Sequence, residues 1–179
     1  MNNSPITKKP SGLRRAVAPA MAAVAAALLF TPFGERLLSA LLTVGDVEAI
    51  DFATLKLGEK PNQFLLCPPG YCAAEAHGAS PLFPMSMGGL RTQWDAVIVR
   101  QPRVTIIAAD KDQIDYIQRT ALIRFPDIIT VRFIALSPGQ STLAVYSRSV
   151  YGTSDFGVNR KRIETWLAAL NVRLSGGPN

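Results

Sequence analysis

One histidine and two cysteines in 179 residues leave little from which to build a metal centre or a redox relay. Charge is scarce too, at 18% of residues against roughly 25% in an ordinary soluble domain. The sequence has no G-x-S-x-G elbow, no G-x-G-x-x-G turn and no Walker loop, so the common hydrolase, dinucleotide and nucleotide frameworks are missing. Asp155-Phe156-Gly157 spells a kinase tripeptide without its companion motifs. Asp110, Asp112 and Asp115 make half an ion loop but lack the later Gly and Glu, and read as hairpin-turn solvation. No internal repeat is visible. With 13 Gly and 13 Pro a collagen composition is excluded, and a 48% apolar content excludes disorder throughout. The length suits one compact domain plus an appendage.

The net charge of +6 invites a nucleic-acid reading until it is located. Residues 1–30 contribute +4 through Lys8, Lys9, Arg14 and Arg15, with no acid. Residues 31–90 contribute −3 and residues 91–179 contribute +5, so the chain beyond the leader sums to only +2. Its bases are mostly scattered singly, without interleaved aromatics on which bases would stack. No nucleic-acid partner is expected.

Those four cations precede an uncharged run from Ala16 to Gly34. A basic start followed by an apolar stretch marks export or anchoring, with the N-terminus held in the cytoplasm. The run is rich in alanine and punctuated by Pro19 and Pro32, and a second apolar run follows from Leu37 to Val44. No small-x-small site follows closely, which favours an uncleaved single-pass anchor in a bacterial inner membrane, with the C-terminal domain in the periplasm. The alternatives are secretion after cleavage near Thr43-Val44-Gly45 or Val47-Glu48-Ala49, and an alanine-rich buried helix. The expected organisation is a leader and anchor over 1–45, a linker over 46–60, a folded domain over 61–174 and a disordered tail over 175–179.

Within the domain, residues 61–84 are dense in Pro, Gly, Ser and Ala and read as a long surface loop. The spacing of Leu90, Trp94, Val97 and Ile98 predicts a helix ending before Pro102. Four strands are expected over Val104–Ala109, Ile114–Arg124, Ile128–Leu136 and Ser141–Val150, joined by short turns that require antiparallel pairing. A last helix carries Ile163, Trp166, Leu167 and Leu170 on one stripe, with Asn159 as its cap and Val158 stapled onto Ile163. The fold class is therefore α+β: two layers, an antiparallel sheet of about four strands flanked by two helices, plus an N-terminal apolar helix.

The most specific stretch runs from Ser147 to Ile163. A strand delivers Arg148 and Ser149 toward a turn with Ser154 and Asp155, which feeds a helix bearing Asn159, Arg160 and Arg162. A helix N-terminus with nearby arginines attracts a carboxylate, a phosphate or a lipid headgroup. The plainer reading pairs Arg148 with Asp155 and leaves Asn159 capping the helix.

Read as S-R-S-x-x-G-x-S-D-x-G-x-N-x-x-R-I, with a Cys-Pro loop upstream, this stretch resembles the bacterial and plastid family known as domain of unknown function 1499. The resemblance covers about Pro61 to Leu170. It implies a shared fold unit and an export signal or anchor, and transfers no catalytic residue. This chain has Val150 where the family usually has a second arginine, and Pro126-Asp127 where it has an acidic pair, so any polar site those groups form in relatives is depleted here.

Cys67 and Cys72 enclose Pro68-Pro69-Gly70-Tyr71. In an exported protein they are expected to form a disulfide that pins this loop. The spacing is not C-x-x-C and no cation adjoins it. A metal site from Cys67, Cys72, His77 and Glu75 lacks a recognisable four-ligand pattern. No metal and no cofactor are expected. The functional expectation is a non-enzymatic, membrane-anchored periplasmic binding or accessory domain that recognises an envelope protein or a small anion. The rivals are an envelope hydrolase using Ser149, Ser154 or Asp155 near Arg148, with His77 brought in by the long loop, and a thiol-redox or metal module.

Overall fold

The computed structural model describes residues 31, 32, 34, 36, 37, 42–45 and 47–176. The expected apolar helix over Ala16–Phe30 lies outside the described residues. Among the described residues no helix is long and apolar enough to cross a membrane. Residues 42–179 make up one compact unit. In residues 1–41, the Gly34 N–H donates to Thr31 Oγ1 at 3.1 Å.

Six strands and two helices build the domain. In chain order they are β1 (Gln63–Cys67), β2 (Gly78–Ala79), α1 (Met87–Ile98), β3 (Val104–Ala109), β4 (Gln113–Arg119), β5 (Pro126–Ser137), β6 (Gln140–Ser149) and α2 (Val158–Leu174). The sheet order is β2-β1-β6-β5-β4-β3. The α+β class holds, but the sheet has six strands rather than four. It is mixed, because β1 and β2 pair in parallel while every other pair is antiparallel.

The β3-to-β6 meander follows from β-branched runs separated by turn clusters. Pro138-Gly139 closes the β5–β6 hairpin, with Ser137 opposite Gln140. β4 stops at Arg119, short of the expected Arg124. There the chain turns, Thr120 N–H bonding to the Phe125 carbonyl at 3.0 Å and Arg124 taking a left-handed φ of 63°. The expected loop over 61–84 contains β1, which lies inside the sheet against β6. Its residues Phe64 to Cys67 are buried on both faces, so no polar alternation marks it, and the flanking prolines disguise it as loop.

Both helices pack on one face. Ser86 caps α1 by accepting the Gly89 N–H, and α1 buries Leu90, Trp94, Val97 and Ile98. α2 brings Ile163, Trp166 and Leu170 to the same core. Trp94 stands edge-on to Trp166 (6.0 Å between centroids) and to Phe133 (6.4 Å). Such pairs add about 0.5–1.5 kcal/mol beyond their area burial.

Residues 46–60 were expected to be a linker, yet Ile50, Phe52, Leu55 and Leu57 cover the opposite face. Phe52 and Leu55 pack with Leu65, Cys67, Ala144 and Tyr146 into a second core. The segment is fastened by Gln113 Nε2 donating to the Ile50 carbonyl at 3.1 Å and by Ala73 N–H donating to Phe52 at 2.9 Å. At the C-terminus Ser175 and Gly176 close α2 through their N–H groups, so the expected disordered tail does not begin at 175. Residues 177–179 lie outside the described residues.

Candidate functional site

The Ser147–Ile163 motif starts on β6, where side chains alternate between faces. Ser147 points to the helices and is fully buried. Its hydroxyl donates to Asn159 Oδ1 at 2.6 Å and accepts from Arg162 at 2.9 Å. Asn159 fills every hydrogen-bonding position of its amide. Oδ1 also accepts from Arg162 at 2.6 Å, while Nδ2 donates to the Asn62 carbonyl at 3.0 Å and to Ser149 Oγ at 3.1 Å. Arg162 goes on to Gln118 and to an ion pair with Asp127, and both charged side chains are all but sealed from solvent. Gathered from β1's approach, β4, β5, β6 and α2, this network ties the last helix to the sheet.

Asn159 is not the helix cap. Gly157 takes the cap position in a left-handed conformation, φ 79°, that favours glycine. Asp155 does the capping: its carboxylate accepts the Gly157 N–H at 3.0 Å and the Asn159 N–H at 2.7 Å. The chain's own carboxylate therefore occupies the α2 N-terminus, where an external anion was expected. Val158 is the first residue of the helix and is exposed, rather than preceding the cap as a staple.

Arg148 lies on the other face of the sheet. Its guanidinium sits over the Tyr146 ring, 5.0 Å from the centroid, and donates to Thr130 Oγ1 at 3.4 Å. Thr130 in turn donates to Asp115 at 2.5 Å. Burial pulls the Arg148 pKa below its ordinary value, and Tyr146, Asp115 and Glu48 oppose that shift. Burial likewise raises the Tyr146 pKa, against Arg148. The expected Arg148–Asp155 bracket is thus replaced by two separate fastenings, one on each face.

A cleft of about 480 Å³ gathers other residues of the motif. Lys60, Phe64, His77, Ser154, Asp155 and Arg160 line it. His77 stacks on Phe64 at 5.7 Å between centroids, and the Arg160 guanidinium lies 4.7 Å from the same ring centroid. Arg160 is held only loosely by Glu164, at 3.7 Å and with both side chains more than half exposed. His77 Nδ1 accepts the Leu65 backbone N–H at 2.9 Å. A backbone N–H is always the donor, so the neutral ring carries its proton on Nε2. Ser154 Oγ accepts the Phe156 N–H at 3.3 Å.

Of the residues singled out in the sequence, Ser154, Asp155 and Arg160 meet at this cleft. Asn159, Arg162 and Ser149 meet in the buried network, and Arg148 stands apart from both. Sequence reasoning missed Asn62, Gln118 and Asp127 in the network and Lys60 and Phe64 in the cleft, since nothing local marks a residue whose partner is far along the chain. Cys67 and Cys72 are disulfide-bonded, with Cα atoms 6.2 Å apart, which withholds both sulfurs from a metal. Among the described residues no cluster of three His, Cys, Asp or Glu stands ready for an ion.

Residues 59–170, more than half the chain, match the sequence profile of a family described as a protein of unknown function, DUF1499. The chain belongs to the DUF1499 family. A search of curated proteins finds no match. The matched span begins just before β1 and ends at Leu170 on α2, so it takes in both the network and the cleft. In this DUF1499 chain the motif's Ser147, Asn159 and Arg162 close the fold, and its Asp155 caps a helix.

Proposed function

We propose that this DUF1499 chain is a non-enzymatic accessory domain of the bacterial envelope, held at the periplasmic side of the inner membrane by its N-terminal segment. Its cleft recognises a small anionic group on an envelope partner or ligand. The observation that carries this reading is the cleft itself, which Arg160, Lys60 and His77 line together with the carboxylates Glu59 and Asp155. Its one motif carboxylate, Asp155, is already spent on helix N–H groups. Export is supported by Lys8, Lys9, Arg14 and Arg15 ahead of an uncharged run, and by a disulfide, which persists in oxidising compartments.

The hydrolase reading brings His77 and Ser154 to the same cleft, but the tautomer opposes it. A general base needs a free lone pair facing the nucleophile, and here the Nδ1 lone pair of the neutral ring is taken by the Leu65 N–H. The single histidine gives one Cε1–H ring signal in NMR. Titration with acetate or inorganic phosphate is expected to move that signal saturably, to leave the shift intact in Arg148→Ala and to lose it in Arg160→Ala. An unmoved signal, or an equal shift in Arg160→Ala, overturns the anion reading. A C-terminal reporter that is active only in the periplasm tests the topology.

A further inference from the structure

The sheet runs on past its helices. α1 packs on β5 and β6, while β3 forms the outer edge and pairs with β4 alone. Every residue of β3 after Val104 is exposed, Ile106 at 57%. Edge strands are ordinarily guarded by Lys, Pro or inward charges. Val104–Ala109 holds none of these, and its one irregularity is a register shift between Ile106 and Ala108. Between this strand and α1 runs a groove of about 530 Å³, walled by Val104, Ile106, Ala109 and Tyr116, with Arg91, Asp95 and Gln101 also lining it. Tyr116 is wholly buried, yet its hydroxyl makes no well-aligned hydrogen bond, and neither does the N–H of its neighbour Trp94. An open row of main-chain groups beside a groove that can take alternate side chains is what strand addition requires.

Charge indicates where such a strand carries an acid. Exposed Arg100 and Arg103 precede β3, while exposed Asp95, upstream on α1, already faces Arg91 at 3.9 Å, and exposed Asp110 stands past the other end of β3. An antiparallel strand would bring its C-terminal end beside the two arginines. We propose that the β3 edge and the groove beneath it receive an extended, antiparallel segment of a partner protein. Alternate apolar side chains of that segment enter the groove, and an acidic residue at its C-terminal end meets Arg100 and Arg103. This surface is separate from the anion cleft and does not depend on it.

The test is selection of random twelve-residue displayed peptides on the full chain in detergent, followed by affinity measurement on the synthesised winners. Winners are expected to alternate apolar residues and end in an acid. Ile107→Lys, which guards the edge, and Ala109→Phe, which fills the groove, should each weaken binding by about tenfold or more. Both positions are exposed, and circular dichroism with thermal melting verifies that the variants fold. Arg100→Glu should weaken acidic winners and spare their charge-reversed counterparts. Absence of alternating winners, or winners that bind all three variants as tightly as the parent, overturns the proposal. So does a parent chain that dimerises through β3 and loses the dimer in Ile107→Lys, since the occupant would then be a second copy.

Discussion

Arg162 and Asp127 show how much one buried charge pair can govern. Each has almost no solvent to fall back on, so removing one partner strands the other. Arg162→Met is expected to lower the unfolding free energy by about 3–5 kcal/mol in urea titration, because a carboxylate is left buried and unpaired. Adding Asp127→Leu should return part of that loss, which a role of Arg162 in packing alone does not predict. The motif was legible in the sequence as the most polar and specific stretch, and its residues do fasten the fold. Its division was legible in principle as well. Ser147 and Arg148 are neighbours on a strand, so alternation sends them to opposite faces, and no single site could have used both. The partners Asn62, Gln118 and Asp127 were not legible, because Asn159 meets Asn62 across 97 positions and Arg162 meets Gln118 across 44.

At the scale of the element, α2 depends on a carboxylate two residues ahead of its glycine cap position. Asp155→Ala leaves the Gly157 and Asn159 N–H groups without that acceptor, and should cost about 0.5–2 kcal/mol. The thermal midpoint measures this loss, and Asp155→Asn is expected to restore only part of it, since the amide offers one oxygen where the carboxylate uses two. The hairpins of β3 to β6 were readable because each strand is contiguous, rich in β-branched residues and bounded by a turn cluster. β1 was not, because a short strand buried on both faces carries no alternation and sits between Pro61 and Pro68. The cover over 46–60 was missed for a related reason. Phe52 and Leu55 are three apart in a mixed segment with no repeat to betray them, and only the back of the sheet shows that they are buried.

For the whole molecule, stability should depend on alkaline pH through Tyr116. Burial, reinforced by the Asp95 charge, raises its pKa above the ordinary tyrosine value of 10.0. The folded state therefore holds this proton more tightly than the unfolded state. The resulting stability is complete below about pH 10 and drains away as pH climbs above it. Tyr116→Phe should change stability by less than about 1 kcal/mol at neutral pH, since the hydroxyl has no aligned bond to lose. Between pH 7 and about pH 11 the parent's melting temperature should fall further than the variant's.

The insertion of β1 against β6 makes the domain wait for its own ending. The first full-length strand finds its neighbour among the last, and Asn62 is locked by a residue of the final helix. On the ribosome the early part of the chain therefore has no finished partner to settle against until α2 has been synthesised. An incomplete domain stays pliable, and it locks only once the whole chain is available.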